Sequence, residues 1–221
     1  NIRQISYNWK KFAPKAFKIM VDIDQAELDK PTLKINYKIK TDLKIFLPLF
    51  LKKVEDLNYS SSKEHNKYLK WCKERVIKYP VVLPEYKNKK AKKINPYIFI
   101  EELFKILTKD DVVITGNGSA CVMTFQAAKI KQGQRLYTNS GSASMGYDLP
   151  ASIGAAIAKK NGRIICLAGD GSLMMNLQEL QTVQGYNLPI KVFVLNNNGY
   201  VSIKQTQEAY FSDNVVGVDA K

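Results

Sequence analysis

The chain has 221 residues, 34 Lys and Arg against 20 Asp and Glu, and a formal net charge of +14. That length can bury roughly 70% of its unfolded surface in a core. Its three cysteines, Cys72, Cys121 and Cys166, are odd in number and never spaced CxxC, which speaks against a disulfide framework or a zinc site. The longest apolar runs, such as "IFLPLFL" (45–51), are too short to span a bilayer, and no basic-then-apolar leader opens the sequence, so a cytoplasmic protein with no membrane partner is expected.

The charge is unevenly spread. Residues 1–110 carry 25 Lys and Arg against 13 Asp and Glu, whereas residues 111–221 carry 9 against 7. Basicity peaks in "EYKNKKAKK" (85–93), which has prolines on both sides and no helical periodicity; it reads as a solvated linker, with no nucleic-acid partner expected. The sequence opens at Asn1, without a methionine, in structured-looking sequence, and is expected to be a piece of a longer protein.

In chain order, "AFKIMVDID" (16–24) predicts a buried strand and "QAELDK" a short helical turn. Residues 41–57 and 63–78 predict helices, with His65, the single histidine, on the solvent side. Pro96 starts a helix in "PYIFIEELFKIL" (96–107), whose apolar residues at 99, 100, 103, 104 and 107 form one face. "DVVITGNGSA" (111–120) predicts a strand running into a glycine-rich loop. Helix 151–158 follows, with a ridge of small residues at Ala151, Gly154, Ala155 and Ala158. Then come strand 163–168, helix 172–185 and strand 190–196. Helices alternating with short, continuously apolar strands imply an α/β fold with a parallel sheet flanked by helices.

In such sheets ligands bind beyond the carboxyl ends of strands. "LAGDGSLMM" (167–175) places Asp170 at such an end between Gly169 and Gly171, glycines that permit close approach, and Ser172 opens a helix whose free N–H groups suit an anion. The next strand ends in "NNNGY" (196–200), after an interval of 24 residues (172–195) that fits one helix, one loop and one strand. A carboxylate, an amide oxygen and a carbonyl are three of the roughly six oxygens that Mg²⁺ needs, with room for a diphosphate.

Gly-Asp-Gly, then 24–27 residues, then Asn-Asn resembles the cofactor signature of thiamine diphosphate enzymes. "SGSASMGYDLPASIGAAIA" (140–158) resembles the segment before that signature in the acetolactate synthase-like branch, and "KFAPKAFKIMVDIDQAELDKPT" (11–32) the end of that branch's middle domain. The resemblance implies the end of a middle α/β domain at 1–40, a helical and lysine-rich linker at 41–95, and the diphosphate-binding domain at 96–221, stopping short of its final strands.

By the same resemblance, Asp170 and Asn197 bind Mg²⁺ by side chain and Gly199 by its carbonyl. Ser172 and the backbone of Gly199, Tyr200 and Val201 hold the diphosphate, with Gly169 and Gly171 shaping the turn. Gly118 and Ser119 supply the first cofactor loop. Met145 bends the cofactor, and the Ala143 carbonyl contacts its aminopyrimidine. The resemblance implies an enzyme that decarboxylates a 2-keto acid such as pyruvate and transfers the acyl-anion equivalent to a carbonyl acceptor. It further implies a homodimer or homotetramer, and leaves FAD open for a full-length protein. The catalytic glutamate belongs to an N-terminal domain with no counterpart here, so the chain alone is expected to be inactive.

Two segments depart from that branch: Ser119, Ala120 and Cys121 stand where Gln-His-Gln is common, and Thr206 where a tryptophan shapes the second-substrate pocket. A keto sugar nucleotide as acceptor therefore stays open, as do a non-catalytic module and a dinucleotide-binding domain suggested by "GNGSAC" (116–121), which lacks the third glycine.

Overall fold

The computed structural model describes residues 5, 8–87, 92–160, 162–211 and 214–219. It divides the chain into two compact units, Asn1–Glu74 and Arg75–Lys221. The centre of the expected lysine-rich linker, residues 88–91, lies outside the described residues.

In the first unit, β1 (Ile19–Asp22) pairs in parallel with β2 (Tyr37–Lys40), Ile19 opposite Tyr37. Between them runs α1 (Gln25–Leu28), capped by the Asp24 carboxylate, which accepts from the Ala26 N–H at 2.9 Å. The strand expected to be buried is not: Ile19 is 60% exposed, because the described sheet here has two strands and leaves one face of β1 open. β2 escapes sequence reading, since "YKIK" is mostly exposed and carries two lysines. The helices α2 (Leu43–Asp56) and α3 (Lys63–Lys78) match their expected spans, and His65 is exposed.

The second unit is built on a four-stranded, all-parallel sheet in the order β4-β3-β5-β6. Its elements are α4 (Pro96–Ile106), β3 (Val112–Thr115), α5 (Gly118–Ala127), β4 (Arg135–Thr138), α6 (Asp148–Lys159), β5 (Ile164–Gly169), α7 (Asp170–Leu173), α8 (Leu180–Gly185), β6 (Ile190–Leu195) and α9 (Val201–Tyr210). Side chains alternate across a strand, and the sheet uses both faces. Val113, Ile165 and Leu167 pack with Ile100, Leu103 and Phe104 of α4 and with Ala127 of α5. Val112, Ile114, Ile164, Cys166 and Ala168 pack on the other side with Ala156 of α6. The chain moves from β3 outward to β4, then returns past β3 to β5, so the strand order reverses between β3 and β5. At such a reversal, crossovers leave on opposite faces and open a crevice at the carboxyl ends of the strands.

Three expectations need correction. Helix α6 begins at Asp148, three residues early, with Pro150 in its first turn where a missing N–H costs nothing. Its buried face is Asp148, Leu149, Ser152 and Ala156; Gly154 and Ala158 of the expected small-residue ridge are exposed. The single helix expected over 172–185 is one turn of α7, a 3₁₀ stretch (Met174–Glu179) and α8, broken at Asn176 with φ −137° and ψ 33°. The cause is tertiary: the Asn176 carboxamide donates to the Gly146 carbonyl at 2.6 Å.

Among the described residues no helix is long and apolar enough to cross a membrane.

Candidate functional site

The carboxyl ends of β3, β5 and β6 open onto one cleft of about 300 Å³, and every residue singled out above as a metal or cofactor contact lines it. Gly118 and Ser119 arrive from the β3–α5 turn, and Ala143 and Met145 from the segment before α6. Gly169, Asp170, Gly171 and Ser172 come from the β5–α7 turn, and Asn197, Gly199, Tyr200 and Val201 from the β6–α9 turn. Sequence reading missed Asn117, Ala120, Leu195, Ser202 and Ile203, which also line it. Most of these open α5 or α9 or flank a named residue, so the signal was position next to a motif.

The chemistry concentrates where β5 and β6 end side by side, with Gly169 opposite Leu195. Asp170 Oδ2 accepts from the Gly199 N–H at 2.8 Å, which ties the two turns together. The Asn197 carboxamide lies between them. Its atom facing the turn is 3.1 Å from Asp170 Oδ1 and 2.7 Å from the Gly199 carbonyl oxygen. With nitrogen there the amide makes two hydrogen bonds; with oxygen there, three oxygens converge. Adjacent ligands of an octahedral ion bound at about 2.1 Å lie about 3 Å apart, the spacing seen here. A hard divalent cation therefore fits this trio, and binding it requires only a turn of the amide. Among the described residues no three His, Cys, Asp or Glu side chains are grouped, so the donor set that suits a soft metal is not present there.

The anion side of the cleft differs from expectation. Helix α7 is a single turn, and the Ser172 hydroxyl is already engaged: it accepts from the Gly146 N–H at 2.8 Å and donates to Asp148 Oδ1 at 3.2 Å. What Ser172 offers the cleft is backbone. In its place, two ten-residue helices, α5 and α9, begin at the cleft with N-cap residues Asn117 and Tyr200 that make no side-chain cap bond. Uncapped N–H groups at a helix start carry partial positive charge and suit phosphate oxygens.

Asn117 Nδ2 instead donates to the Ala143 carbonyl at 3.2 Å, linking the α5 turn to the segment before α6; that carbonyl keeps a second lone pair. Ala143 itself sits at φ +53°, which explains why glycine suits this position and why alanine strains it. Of the glycines flanking Asp170, Gly171 is required by space, since a Cβ there would lie 2.4 Å from the Tyr200 ring. Gly169 has ordinary angles, and a Cβ on it would meet no protein atom within 4 Å. Cys121, buried, contacts the Thr138 hydroxyl at 3.0 Å and is not among the residues that line the cleft. Thr206 is exposed on α9, its hydroxyl donating to the Ser202 carbonyl at 3.1 Å.

Residues 116–221 match the family model of the thiamine pyrophosphate enzyme, C-terminal TPP binding domain. Over 206 residues the chain is 36% identical to the acetolactate synthase large subunit of Cyanidium caldarium, a match covering 91% of this chain and 33% of that protein. It is 34% identical to the acetolactate synthase large subunit of Buchnera aphidicola subsp. Schizaphis graminum, covering 93% and 35%. Against the acetolactate synthase isozyme 2 large subunit of Escherichia coli K12 the identity is 31%, covering 91% and 34%. The chain thus spans about a third of the length of the curated relatives it matches. The crystal structure of benzoylformate decarboxylase from Polynucleobacter necessarius shares the fold, with a TM-score of 0.63 at 23% identity over 91% of this chain and 35% of that one. The family model covers the whole cleft, from the β3–α5 turn to the β6–α9 turn, and takes the place of the dinucleotide-binding alternative. By these matches residues 116–221 are similar to the C-terminal TPP binding domain of thiamine pyrophosphate enzymes, and most of the chain is similar to one third of acetolactate synthase large subunits.

Proposed function

We propose that this chain holds the diphosphate and Mg²⁺ end of thiamine diphosphate in an acetolactate synthase-like enzyme. That enzyme decarboxylates a 2-keto acid such as pyruvate and transfers the remaining acyl unit to a carbonyl acceptor. The observation that carries the reading is the Asn197 carboxamide, 3.1 Å from Asp170 Oδ1 and 2.7 Å from the Gly199 carbonyl oxygen, beside two open helix starts. Asp170, Asn197 and Gly199 would hold Mg²⁺. The backbone of Ser172, Tyr200 and Val201, with Gly118 and Ser119 across the cleft, would hold the diphosphate, while Ala143 and Met145 would flank the organic rings.

When bound, the cofactor supplies the electron sink for decarboxylation. The chain's own share is binding, orientation and charge neutralisation. Asp170 is the only carboxylate among the described residues that line the cleft, so the proton-handling glutamate comes from outside it, on this reading from a partner subunit of a homo-oligomer. Thr206 is exposed on α9, and on this reading the acceptor is either a second 2-keto acid or a keto sugar nucleotide.

Titration with thiamine diphosphate in the presence and absence of Mg²⁺ tests the proposal. Binding should require the metal, and Asp170→Ala should weaken it by about 100-fold or more, because a lost inner ligand costs at least as much as the loss of an outer one. Metal-independent binding, or binding unchanged in Asp170→Ala, overturns it.

A further inference from the structure

We propose that Asn176 and Asp148, neither of which lines the cleft, are positioning residues that set the separation between its two walls, the 143–146 segment and the 169–172 turn. This rests on the cofactor reading above. The two walls meet at Gly146. Its N–H donates to the Ser172 hydroxyl at 2.8 Å and its carbonyl accepts from Asn176 Nδ2 at 2.6 Å, so one of its backbone polar groups is held by the far wall and the other by the 3₁₀ stretch that follows it. Gly146 has φ +79°, and a Cβ there would lie 2.5 Å from Asn176 Nδ2 and 2.9 Å from Met175 Cβ, so the contact is as close as backbone allows. The residue before it is Met145, which faces the cleft.

Asp148 acts one step behind. It is 0% exposed, and its Oδ1 accepts from the Ser172 hydroxyl, which fixes that hydroxyl's proton and leaves its lone pair aimed at the Gly146 N–H. Its Oδ2 has no hydrogen-bond partner, and lies 2.7 Å from where a Cβ on Gly116 would be. A buried carboxyl with one oxygen unsatisfied is costly. Burial pushes its pKa up, and the neutral acid still presents an oxygen to Ser172. The broken helix at Asn176 is a second local cost, and both converge on the same glycine. Both costs are explained if the walls must stand at one spacing for a ligand that touches each.

The test compares two ligands on the same chain. Thiamine diphosphate reaches both walls; inorganic pyrophosphate with Mg²⁺ reaches the 169–172 and 197–201 turns and Gly118 and Ser119, and leaves the 143–146 segment untouched. Isothermal titration of Asn176→Ala and Asp148→Ala should show thiamine diphosphate binding weakened by about tenfold or more, as the loss of one buried hydrogen bond allows. Mg²⁺-pyrophosphate affinity should be unchanged. Asp148→Asn keeps an acceptor oxygen for Ser172 and should restore most of the loss. Asn176 is half-buried on a mostly exposed 3₁₀ stretch, so Asn176→Ala carries the test even if Asp148→Ala does not fold. Unchanged thiamine diphosphate affinity in Asn176→Ala overturns the inference. So does equal weakening of both ligands, which would mean these residues hold the turn and not the spacing. A wild-type chain that binds neither ligand with Mg²⁺ overturns the proposed function itself, and this inference with it.

Discussion

The backbone N–H of Gly199 donates to Oδ2 of Asp170 at 2.8 Å, joining the ends of two adjacent strands through a carboxylate that lines the cleft. Gly199 can do this because its φ is +124°, a region closed to residues with a side chain. A Cβ there would also lie 2.3 Å from the Val218 carbonyl oxygen, which already accepts from the Tyr200 N–H at 2.9 Å. Gly199→Ala should therefore cost about 2–3 kcal/mol of stability from strain and crowding. On the proposed function it should also abolish Mg²⁺-dependent binding of thiamine diphosphate, because the carbonyl proposed to hold the metal moves. Denaturant titration and calorimetry check the two effects; a variant with wild-type values in both would contradict this account of the turn.

Asp111, 3% exposed, receives Arg163 Nε at 2.8 Å and Nη2 at 2.7 Å, and the Thr108 N–H at 2.6 Å. The Arg163 guanidinium holds its carboxyl below the ordinary value of 3.8. A depressed folded-state pKa gives a contribution that is complete above 3.8 and fades as the pH falls through the folded value. Because Arg163 is partly exposed, Asp111→Asn should cost only about 2 kcal/mol at pH 7. The gap in unfolding midpoint between wild type and variant should narrow as the pH drops below 3.8. A gap that does not change with pH would remove the ion pair from the explanation.

Cys166 is buried in the sheet, and burial pushes its thiol up to about 12. Cys121 is also buried, against Thr138. Since the thiolate is the reactive form, only the half-buried Cys72 should react quickly with an aromatic disulfide reagent in the native chain, with all three thiols reacting after denaturation. Mass spectrometry of the labelled peptides gives the answer directly.

Helix α6 offers a packing test. Ala156 is 5% exposed and sits against the sheet, so Ala156→Leu overpacks the interface and should cost about 1–3 kcal/mol. Ala158 is exposed two residues on, and Ala158→Leu should stay within about 0.5 kcal/mol. The reverse order would restore the small-residue ridge expected from spacing alone.

That ridge shows where sequence reading stops. Ala151, Gly154, Ala155 and Ala158 and the observed face Asp148, Ser152 and Ala156 both satisfy helical spacing, and nothing local chooses between them. The choice is made by β3 and β5 beneath the helix. β3 and β5 were legible because burial on both faces leaves no alternation to misread, and the edge strand β6 was legible from its apolar run Val192–Leu195. β4, "RLYT", alternates exposed and half-buried residues at the edge of the sheet and was missed. Helix α5 was hidden behind its glycine-rich opening.

By itself the sequence determined the alternation of helices and strands, and, through the interval from Asp170 to Asn197, which residues meet at adjacent strand ends. Those are one-dimensional facts: burial pattern and chain length fix them. Only the tertiary structure decided what each side chain does after arrival. It turned the Ser172 hydroxyl inward to Asp148, broke the following helix at Asn176 to reach Gly146, and aimed the starts of α5 and α9 at the cleft. The physical reason is that a hydrogen bond between residues 26 or 30 positions apart is set by how layers pack, and local sequence carries no record of that.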